Sequence, residues 1–75
     1  MKVIAKFQCT EIKELENGSE ITMNPVVDGS EENKKFFDLT PYGELNLGTI
    51  NKKAAKQFLV GDEYYITIEK AEKEG

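Results

Sequence analysis

The chain has 75 residues, including 10 lysines, 14 acidic residues and one cysteine, and it has no arginine, histidine or tryptophan. A chain of this length forms one domain, and a single cysteine excludes both an intramolecular disulfide and a four-cysteine zinc site, which favours a reducing compartment. The formal net charge of -4 argues against sequence-independent nucleic-acid binding, because that binding depends on Lys and Arg contacts to phosphates. No stretch approaches the roughly 20 apolar residues needed to span a bilayer.

The N-terminal segment predicts an antiparallel β-hairpin. Apolar and polar side chains alternate over 2–10 with Ile4 as the one exception, which indicates a half-buried strand and not a secretory signal. The apolar face of this strand comprises Val3, Ala5, Phe7 and Cys9. Asn17-Gly18 is a strong two-residue turn signal because both residues tolerate positive φ, and the return strand covers 20–27. Pro25 cannot donate a ladder hydrogen bond, so it is expected at an edge, at a bulge or at the strand's end.

The middle of the chain predicts a short helix and a short strand. Ser30 is a candidate N-cap for a helix over 31–37, in which two glutamates of the first turn complement the helix dipole. Thr40-Pro41-Tyr42-Gly43 ends this helix, because proline disfavours helical geometry in the preceding residue and glycine permits a tight turn. A strand with alternating apolar side chains follows over 44–47.

The C-terminal segment predicts a second helix and the last strand. Asn51 caps a helix over 52–58, whose apolar side chains are expected to face the core at four-residue spacing. These apolar side chains are Ile50, Ala54 and Phe58. Aromatic and β-branched residues over 63–69 are typical of a strand, and 72–75 form a polar, frayed tail.

The order of the predicted elements is β-β-α-β-α-β, within a single domain over 1–71. Helices this short fill a curved sheet better than they cover a flat one. We therefore predict a β-rich α+β fold, with a small twisted antiparallel sheet or a partly open OB-like or SH3-like barrel. A ferredoxin-like sheet is disfavoured, because the first connection is a tight hairpin.

The sequence lacks the residue combinations that catalysis and cofactors usually need. A nucleophilic Ser or Cys usually needs a neighbouring base such as His, and the glycines occur singly, without a phosphate-cradling loop. Cys9 lies on the apolar face and is assigned to the core. Asp28, Glu31 and Glu32 are close in sequence, but acids at a helix start are more often dipole partners than cation ligands. We therefore predict no enzymatic activity, no cofactor and no metal site.

Aromatic side chains provide the best candidates for binding. Consecutive strand residues point to opposite faces, so one of Tyr64 and Tyr65 is expected in the core and the other on the outer face. The outer tyrosine either contacts a partner or packs against a lysine stem. Phe36 and Phe37 cannot both point inward from one short helix, so one of them either reaches a partner or caps an open barrel end. The predicted partner- or ligand-binding residues are Asn33, Lys34, Phe37, Tyr42 and Tyr65.

The most basic local feature is the group Lys52, Lys53 and Lys56, which is a candidate anion-binding site. Together with an exposed tyrosine it could receive a single nucleic-acid strand, as OB folds do. A solvated helix face is the favoured alternative, because acidic neighbours are abundant and the absence of arginine weakens bidentate phosphate contacts. Nucleic acid is therefore not the expected partner.

Several segments carry a resemblance to known proteins. They are 1–9, 25–37, Thr40-Pro41-Tyr42-Gly43, 47–51, Phe58 and 61–65. The most specific stretch is 29–43, which combines a turn, a capped helix and Thr-Pro-x-Gly. Together these residues resemble a family of small bacteriophage and prophage proteins of unassigned function. The resemblance implies a phage-encoded accessory protein that acts in the cytoplasm of the bacterial host.

The leading hypothesis is a non-enzymatic binding module that engages a host or phage protein, for example as an inhibitor of a host-defence protein. Two alternatives are open: an oligomeric protein that sequesters a small anionic, nucleotide-like ligand, and an OB-like binder of single-stranded nucleic acid. A homo-oligomer through an edge strand is a further hypothesis, because a small sheet leaves an edge unpaired. Pro25 and charged residues could instead protect that edge in a monomer. No membrane association is predicted.

Overall fold

The computed structural model describes residues 2–72 of the chain. Within this range the chain forms four strands and two short helices in the predicted order β-β-α-β-α-β. The elements are β1 (Lys2–Leu15), β2 (Gly18–Pro25), α1 (Glu31–Leu39), β3 (Leu45–Thr49), α2 (Lys52–Ala55) and β4 (Glu63–Glu69). One antiparallel sheet in the order β3-β2-β1-β4 curls into a half-barrel, which confirms the predicted fold class. Of the predicted tail at 72–75, residues 73–75 lie outside the described range.

Strand β1 is the longest element and pairs with a neighbour on each side. Its N-terminal half is antiparallel to β4, and its C-terminal half is antiparallel to β2. A β-bulge at Thr10 shifts the register between Cys9 and Glu11. The extra residue reverses the alternation of side chains, so Cys9 and Ile12 both face the core although they are three positions apart, a spacing that puts side chains on opposite faces of a regular strand. The bulge therefore keeps the apolar face of β1 aligned with that of β2.

The predicted hairpin is present, but its turn differs from the expected one. Glu16 and Asn17 form the loop, since Leu15 pairs with Gly18 in the ladder. None of these residues has a positive φ. The expectation that Asn17 and Gly18 favour the turn because they tolerate positive φ is therefore wrong. Gly18 is instead required by close packing, because a Cβ atom at this position would collide with the carbonyl oxygen of Thr49.

The core lies on one face of the sheet. Its buried side chains are Ala5, Phe7, Cys9, Ile21 and Met23, and the partly buried Ile12, Leu45, Phe58, Tyr64 and Ile66 pack against them. The prediction that Cys9 belongs to the core is confirmed. Val3 was predicted on the same face but is exposed, because the buried cluster ends at Ala5. Each large buried aliphatic side chain contributes roughly 1.5–3 kcal/mol, so a core of this size supports modest stability.

The described helices lie on opposite faces of the sheet. The ring centroid of Phe36 in α1 is 6.1 Å from that of Tyr65, whereas Phe58, which follows α2, is 5.2 Å from Tyr64. Tyr64 and Tyr65 are consecutive on β4 and therefore project from opposite faces. The predicted division of these tyrosines is confirmed: Tyr64 packs against the core and Tyr65 lies on the outer face, beside α1.

Helix α1 begins where the sequence predicts and ends later. The predicted N-cap is confirmed, because the side-chain oxygen of Ser30 accepts a hydrogen bond from the backbone N–H of Asn33 at 3.0 Å. The helix continues to Leu39, two residues beyond the predicted end. The backbone N–H of Thr40 donates to the carbonyl oxygen of Phe36 at 2.8 Å and closes the last turn before Pro41.

Helix α2 is shorter than predicted, because it ends at Ala55 and not at Phe58. The hydroxyl of Tyr64 donates to the carbonyl oxygen of Gln57 and accepts from the backbone N–H of Leu59, each at 3.0 Å. These two bonds hold the chain in a turn after α2. Ile50 precedes the N-cap of this helix, so it does not follow the helical spacing, and its predicted place in the core is wrong.

Strands β3 and β4 are the edges of the sheet, and within residues 2–72 neither is paired on its outer side. Strand β3 covers Leu45–Thr49 and not the predicted 44–47. Pro25 ends β2, which is one of its predicted positions. Since β2 is a central strand, Pro25 does not shield an edge.

Candidate protein-binding surfaces

A charged cluster joins α1 to the outer face of the sheet. Strand β1 places Lys6 directly opposite Tyr65 of β4. The Lys6 ammonium is 2.7 Å from Glu32 of α1 and 3.3 Å from Glu63 of β4. The Tyr65 hydroxyl donates to Glu32 at 2.8 Å, and the ammonium lies 5.5 Å from the centroid of the Tyr65 ring. We name Lys6, Glu32, Glu63 and Tyr65, together with the adjoining Asn33, the Lys6 cluster.

Asn33 is the interior member of the Lys6 cluster, and 2% of its surface is exposed. Its side-chain nitrogen donates to the carbonyl oxygen of Asp28 at 2.9 Å and to Glu63 at 2.8 Å. Its side-chain oxygen is buried and has no hydrogen-bond partner among the described residues. Asn33, which the sequence predicted as a contact residue, thus connects the start of α1 to β4 from inside the protein.

Mutual hydrogen bonding favours the charged forms of Lys6 and Glu32 and the neutral form of Tyr65. The pKa of Glu32 is lowered, first by the hydrogen bond from Lys6 and then by that from Tyr65. The same carboxylate raises the pKa of Lys6 and that of Tyr65, in each case chiefly through the hydrogen bond. One ammonium therefore faces two carboxylates, which leaves the cluster without free positive charge for an anion.

An exposed apolar surface lies beside the Lys6 cluster. Phe36 is half-buried against Tyr65, whereas Leu39, about one helical turn further on, is 79% exposed. The side chains of Glu32, Lys35, Phe36 and Leu39 line a groove of about 410 Å³. Tyr65 is itself 60% exposed. We name Phe36, Leu39 and Tyr65, with Glu32 and Lys35 at the rim, the α1 surface.

The remaining predicted contact residues lie in different environments. Phe37 is half-buried like Phe36, so neither phenylalanine is freely exposed. Lys34 is exposed on α1, and Tyr42 is exposed in the segment between α1 and β3. Of the five predicted contact residues, the structure joins Asn33 and Tyr65 in the Lys6 cluster.

A second and larger groove lies between the β1–β2 hairpin and α2, and its volume is about 860 Å³. Its apolar lining consists of Ile12, Leu15, Ile50, Ala55, Phe58 and Leu59. Its charged lining consists of Glu14 and Glu16 on the hairpin side and of Lys52 and Lys56 on the α2 side. We name this feature the hairpin groove.

The hairpin groove divides the predicted anion-binding lysines. Lys52 and Lys56 line the groove, whereas Lys53 does not. Glu14 and Glu16 line the same groove, so its lining contains two lysines and two carboxylates as well as apolar side chains. The electrostatic character of this site is therefore mixed and not basic.

Sequence reasoning did not identify Leu15, Ile50 and Leu59 as surface residues. Ile50 was assigned to the core by its spacing, yet it is 83% exposed. A usable signal was nevertheless present, because Ile50 and Leu59 flank a short, lysine-rich helix. A helix of about one turn has too little length to cover apolar residues beyond both of its ends.

The functional assignment of these surfaces depends on their own geometry. No family model, curated protein or solved structure matches this chain. Among residues 2–72, no three His, Cys, Asp or Glu side chains are grouped so that they could hold a metal ion. In the same range neither helix is long and apolar enough to cross a membrane.

Burial raises the pKa of the Cys9 thiol.

Proposed function

We propose that this protein is a non-enzymatic binding module whose α1 surface engages another protein. The observation that carries this proposal is the exposure of Leu39 and Tyr65 next to the half-buried ring of Phe36. Protein interfaces have centres that are enriched in aromatic side chains and depleted in charge, with charged residues at the rim. The α1 surface has this arrangement, because Glu32 and Lys35 lie beside its apolar side chains.

Tyr65 is held in position before any partner binds. Its hydroxyl is bonded to Glu32 at 2.8 Å, and its ring lies near both Phe36 and the Lys6 ammonium. Binding orders flexible side chains at an entropic cost, and this cost is smaller for a side chain that is already ordered. The Lys6 cluster therefore supports the proposal by presenting Tyr65 as a rigid aromatic contact.

The chemistry of the α1 surface suggests what the partner supplies. The groove beside Phe36 and Leu39 suits an apolar side chain. Glu32 is already paired with Lys6, so Lys35 is the rim charge that lies outside the Lys6 cluster. The surface therefore fits a protein segment in which an apolar side chain stands next to a carboxylate.

We further propose that the partner is a host or phage protein in the bacterial cytoplasm, and that inhibition of a host-defence protein is the biological role. This part of the proposal is supported by the resemblance to small phage and prophage proteins. Its most specific stretch, 29–43, includes all of α1 and thereby Phe36 and Leu39.

The proposal is tested by recovering partners from bacterial lysate with three immobilised proteins: the wild type, Leu39→Ser and the control Val60→Ser. Val60 is 61% exposed and lines neither groove. We expect one protein that the wild type and Val60→Ser recover and Leu39→Ser does not. With that partner purified, calorimetry is expected to show a dissociation constant at least about tenfold higher for Leu39→Ser.

Two results would contradict the proposal. One is that lysates of bacteria, infected or uninfected, contain no protein whose recovery depends on Leu39. The other is that Leu39→Ser and Val60→Ser weaken binding equally, because the contact would then lie outside the α1 surface.

A further inference from the structure

The hairpin groove contains apolar side chains that the rest of residues 2–72 leaves uncovered. Leu15, Ile50 and Leu59 are exposed, and they line the same groove as Ile12 and the half-buried Phe58. Soluble monomers rarely expose a large contiguous apolar patch, and such a patch marks an interaction site.

The charges around this groove are separated by sign. Glu14 and Glu16 lie on the hairpin wall, and Lys52 and Lys56 lie on the α2 wall, and each wall also contributes apolar side chains. The patch is thus acidic on one side and basic on the other. Opposite charges placed in this way select the orientation in which a partner can bind.

Both walls of the groove are held by contacts within the chain. Gly18 lies so close to the carbonyl oxygen of Thr49 that no side chain fits between the hairpin and β3. The Tyr64 hydroxyl bonds to the backbone of Gln57 and of Leu59 and positions the segment after α2. The groove is therefore preformed, which lowers the entropic cost of covering it.

We propose that the hairpin groove is covered by the hairpin groove of a second copy of this chain, in a twofold dimer. When the twofold axis runs along the groove, each hairpin wall faces the α2 wall of the partner. Glu14 and Glu16 of one copy then meet the side chains at 52 and 56 of the other, twice by symmetry, while the apolar linings meet at the centre. This dimer goes beyond the proposed function, which uses the α1 surface on the opposite face of the sheet.

The second copy fits this surface better than partners with one sign of charge. An anionic ligand or a nucleic-acid strand would be attracted by Lys52 and Lys56 but repelled by Glu14 and Glu16. A basic segment would be attracted by the two glutamates but repelled by the two lysines. A copy of the same surface satisfies all four charges at once. It also covers the apolar lining, which a small anion would not.

The first test measures the mass of the whole chain by sedimentation equilibrium, from about 10 µM to about 1 mM. The wild type is expected to shift from monomer to dimer within this range. Ile50→Asp is expected to remain monomeric, because it places a carboxylate in the apolar lining, whereas Val60→Asp, a control outside the groove, is expected to dimerise like the wild type.

Reciprocal charge reversal tests the orientation of the two copies. Variant A carries Glu14→Lys and Glu16→Lys, and variant B carries Lys52→Glu and Lys56→Glu. Each variant alone places like charges opposite each other, so its dimer is expected to be at least about tenfold weaker than that of the wild type. A mixture of A and B restores every opposite-charge contact and is expected to form a heterodimer at least as tight as the wild-type dimer.

A charge-matched control separates specific pairing from general attraction. Glu11→Lys with Glu20→Lys gives the same net charge as variant A, but both positions lie outside the groove. We expect that this control, mixed with variant B, forms a weaker heterodimer than A with B, because the Glu14 and Glu16 of the control still meet the reversed charges at 52 and 56 of variant B. Circular dichroism establishes that every variant is folded before its mass is measured.

Three results would overturn the proposal. The first is a wild type that stays monomeric over the whole concentration range. The second is a wild-type dimer that Ile50→Asp leaves intact, since the interface would then lie elsewhere, for example at an edge strand. The third is a mixture of A and B that remains monomeric while the wild type dimerises. None of these results bears on the binding of a partner at Leu39. The dimer proposal and the proposed function can therefore fail separately.

Discussion

The Lys6 cluster and the hairpin groove lie where α1 and α2 meet the sheet, and they differ in how their side chains find partners. At α1, charged and hydrogen-bonding groups pair with one another, from Lys6 with two carboxylates to Asn33 with Glu63. At α2, opposite charges stay on separate walls and apolar side chains remain uncovered. Polar pairing within the chain can thus hold a short helix, whereas a still shorter helix leaves apolar side chains around it exposed.

The largest expected effect comes from breaking the wall of the hairpin groove with Gly18→Ala. The added Cβ would collide with the backbone oxygen of Thr49, which cannot move as a side chain can. We expect the free energy of unfolding, measured with urea, to fall by about 3 kcal/mol. Gly48→Ala is the control, because a Cβ there meets nothing within 4 Å, and it should change stability by no more than about 0.5 kcal/mol. Equal effects of the two substitutions would contradict the close packing at Gly18.

The second-largest effect is expected from Asn33→Ala, which removes the buried side chain of the Lys6 cluster. The substitution leaves the Asp28 carbonyl oxygen and one Glu63 oxygen without their donor. We expect a loss of about 2 kcal/mol in urea unfolding, because two hydrogen bonds worth about 1 kcal/mol each are lost. Lys34→Ala, an exposed neighbour on α1, should stay within about 0.5 kcal/mol of the wild type. A result for Asn33→Ala in the same range as the control would refute the anchoring role of Asn33.

A smaller effect is the pH dependence that the Lys6 cluster gives to the free energy of unfolding. Because the folded state lowers the pKa of Glu32, the contribution of Glu32 to stability is present above its unfolded pKa and is lost as the pH falls through its folded pKa. The raised pKa values of Lys6 and Tyr65 act at the other end: their contribution is present below their unfolded pKa values and is lost as the pH rises through the folded ones.

Urea unfolding from neutral pH to about pH 3 measures the acidic limb of this dependence. Glu32→Gln should flatten that limb relative to the wild type. Glu31→Gln, an adjacent substitution outside the Lys6 cluster, is the control and should flatten the limb less than Glu32→Gln does. If Glu32→Gln retained the full dependence, the lowered pKa of Glu32 would not contribute to stability.

The smallest expected effect is the change in the free energy of unfolding when exposed apolar residues are substituted. Leu39→Ser and Ile50→Ser remove side chains that are 79% and 83% exposed, so each should change the free energy of unfolding by no more than about 0.5 kcal/mol. Thermal denaturation of dilute, monomeric protein is the appropriate measurement. A large loss for either variant would show that its side chain supports the fold and would weaken its role as a contact for another molecule.

Local pattern predicted the elements of this protein well. The order β-β-α-β-α-β, the cap at Ser30 and the core position of Cys9 follow from the periods of strands and helices and from side-chain capping. The alternation of side chains along a strand likewise predicted that Tyr64 and Tyr65 face opposite sides of the sheet. These features depend on residues that are close in the chain, and they are therefore visible in the sequence.

The contacts between distant elements were not predictable in this way. The sequence placed Ile50 in the core and Asn33 on the surface, and the structure reverses both positions. Nothing local to Asn33 indicates that Glu63 will lie within hydrogen-bonding distance, and nothing local to Gly18 indicates the approach of Thr49.

The sequence by itself determined the elements, their order and the class of fold, because backbone periodicity and turn chemistry act over a few residues. Tertiary structure alone decided the bulge at Thr10, the length of α2, the pairing of Lys6 with Glu32 and Glu63, and the separation of charge across the hairpin groove. Those features depend on contacts between segments that are distant in the chain. Their energies depend on distances that only the folded chain sets.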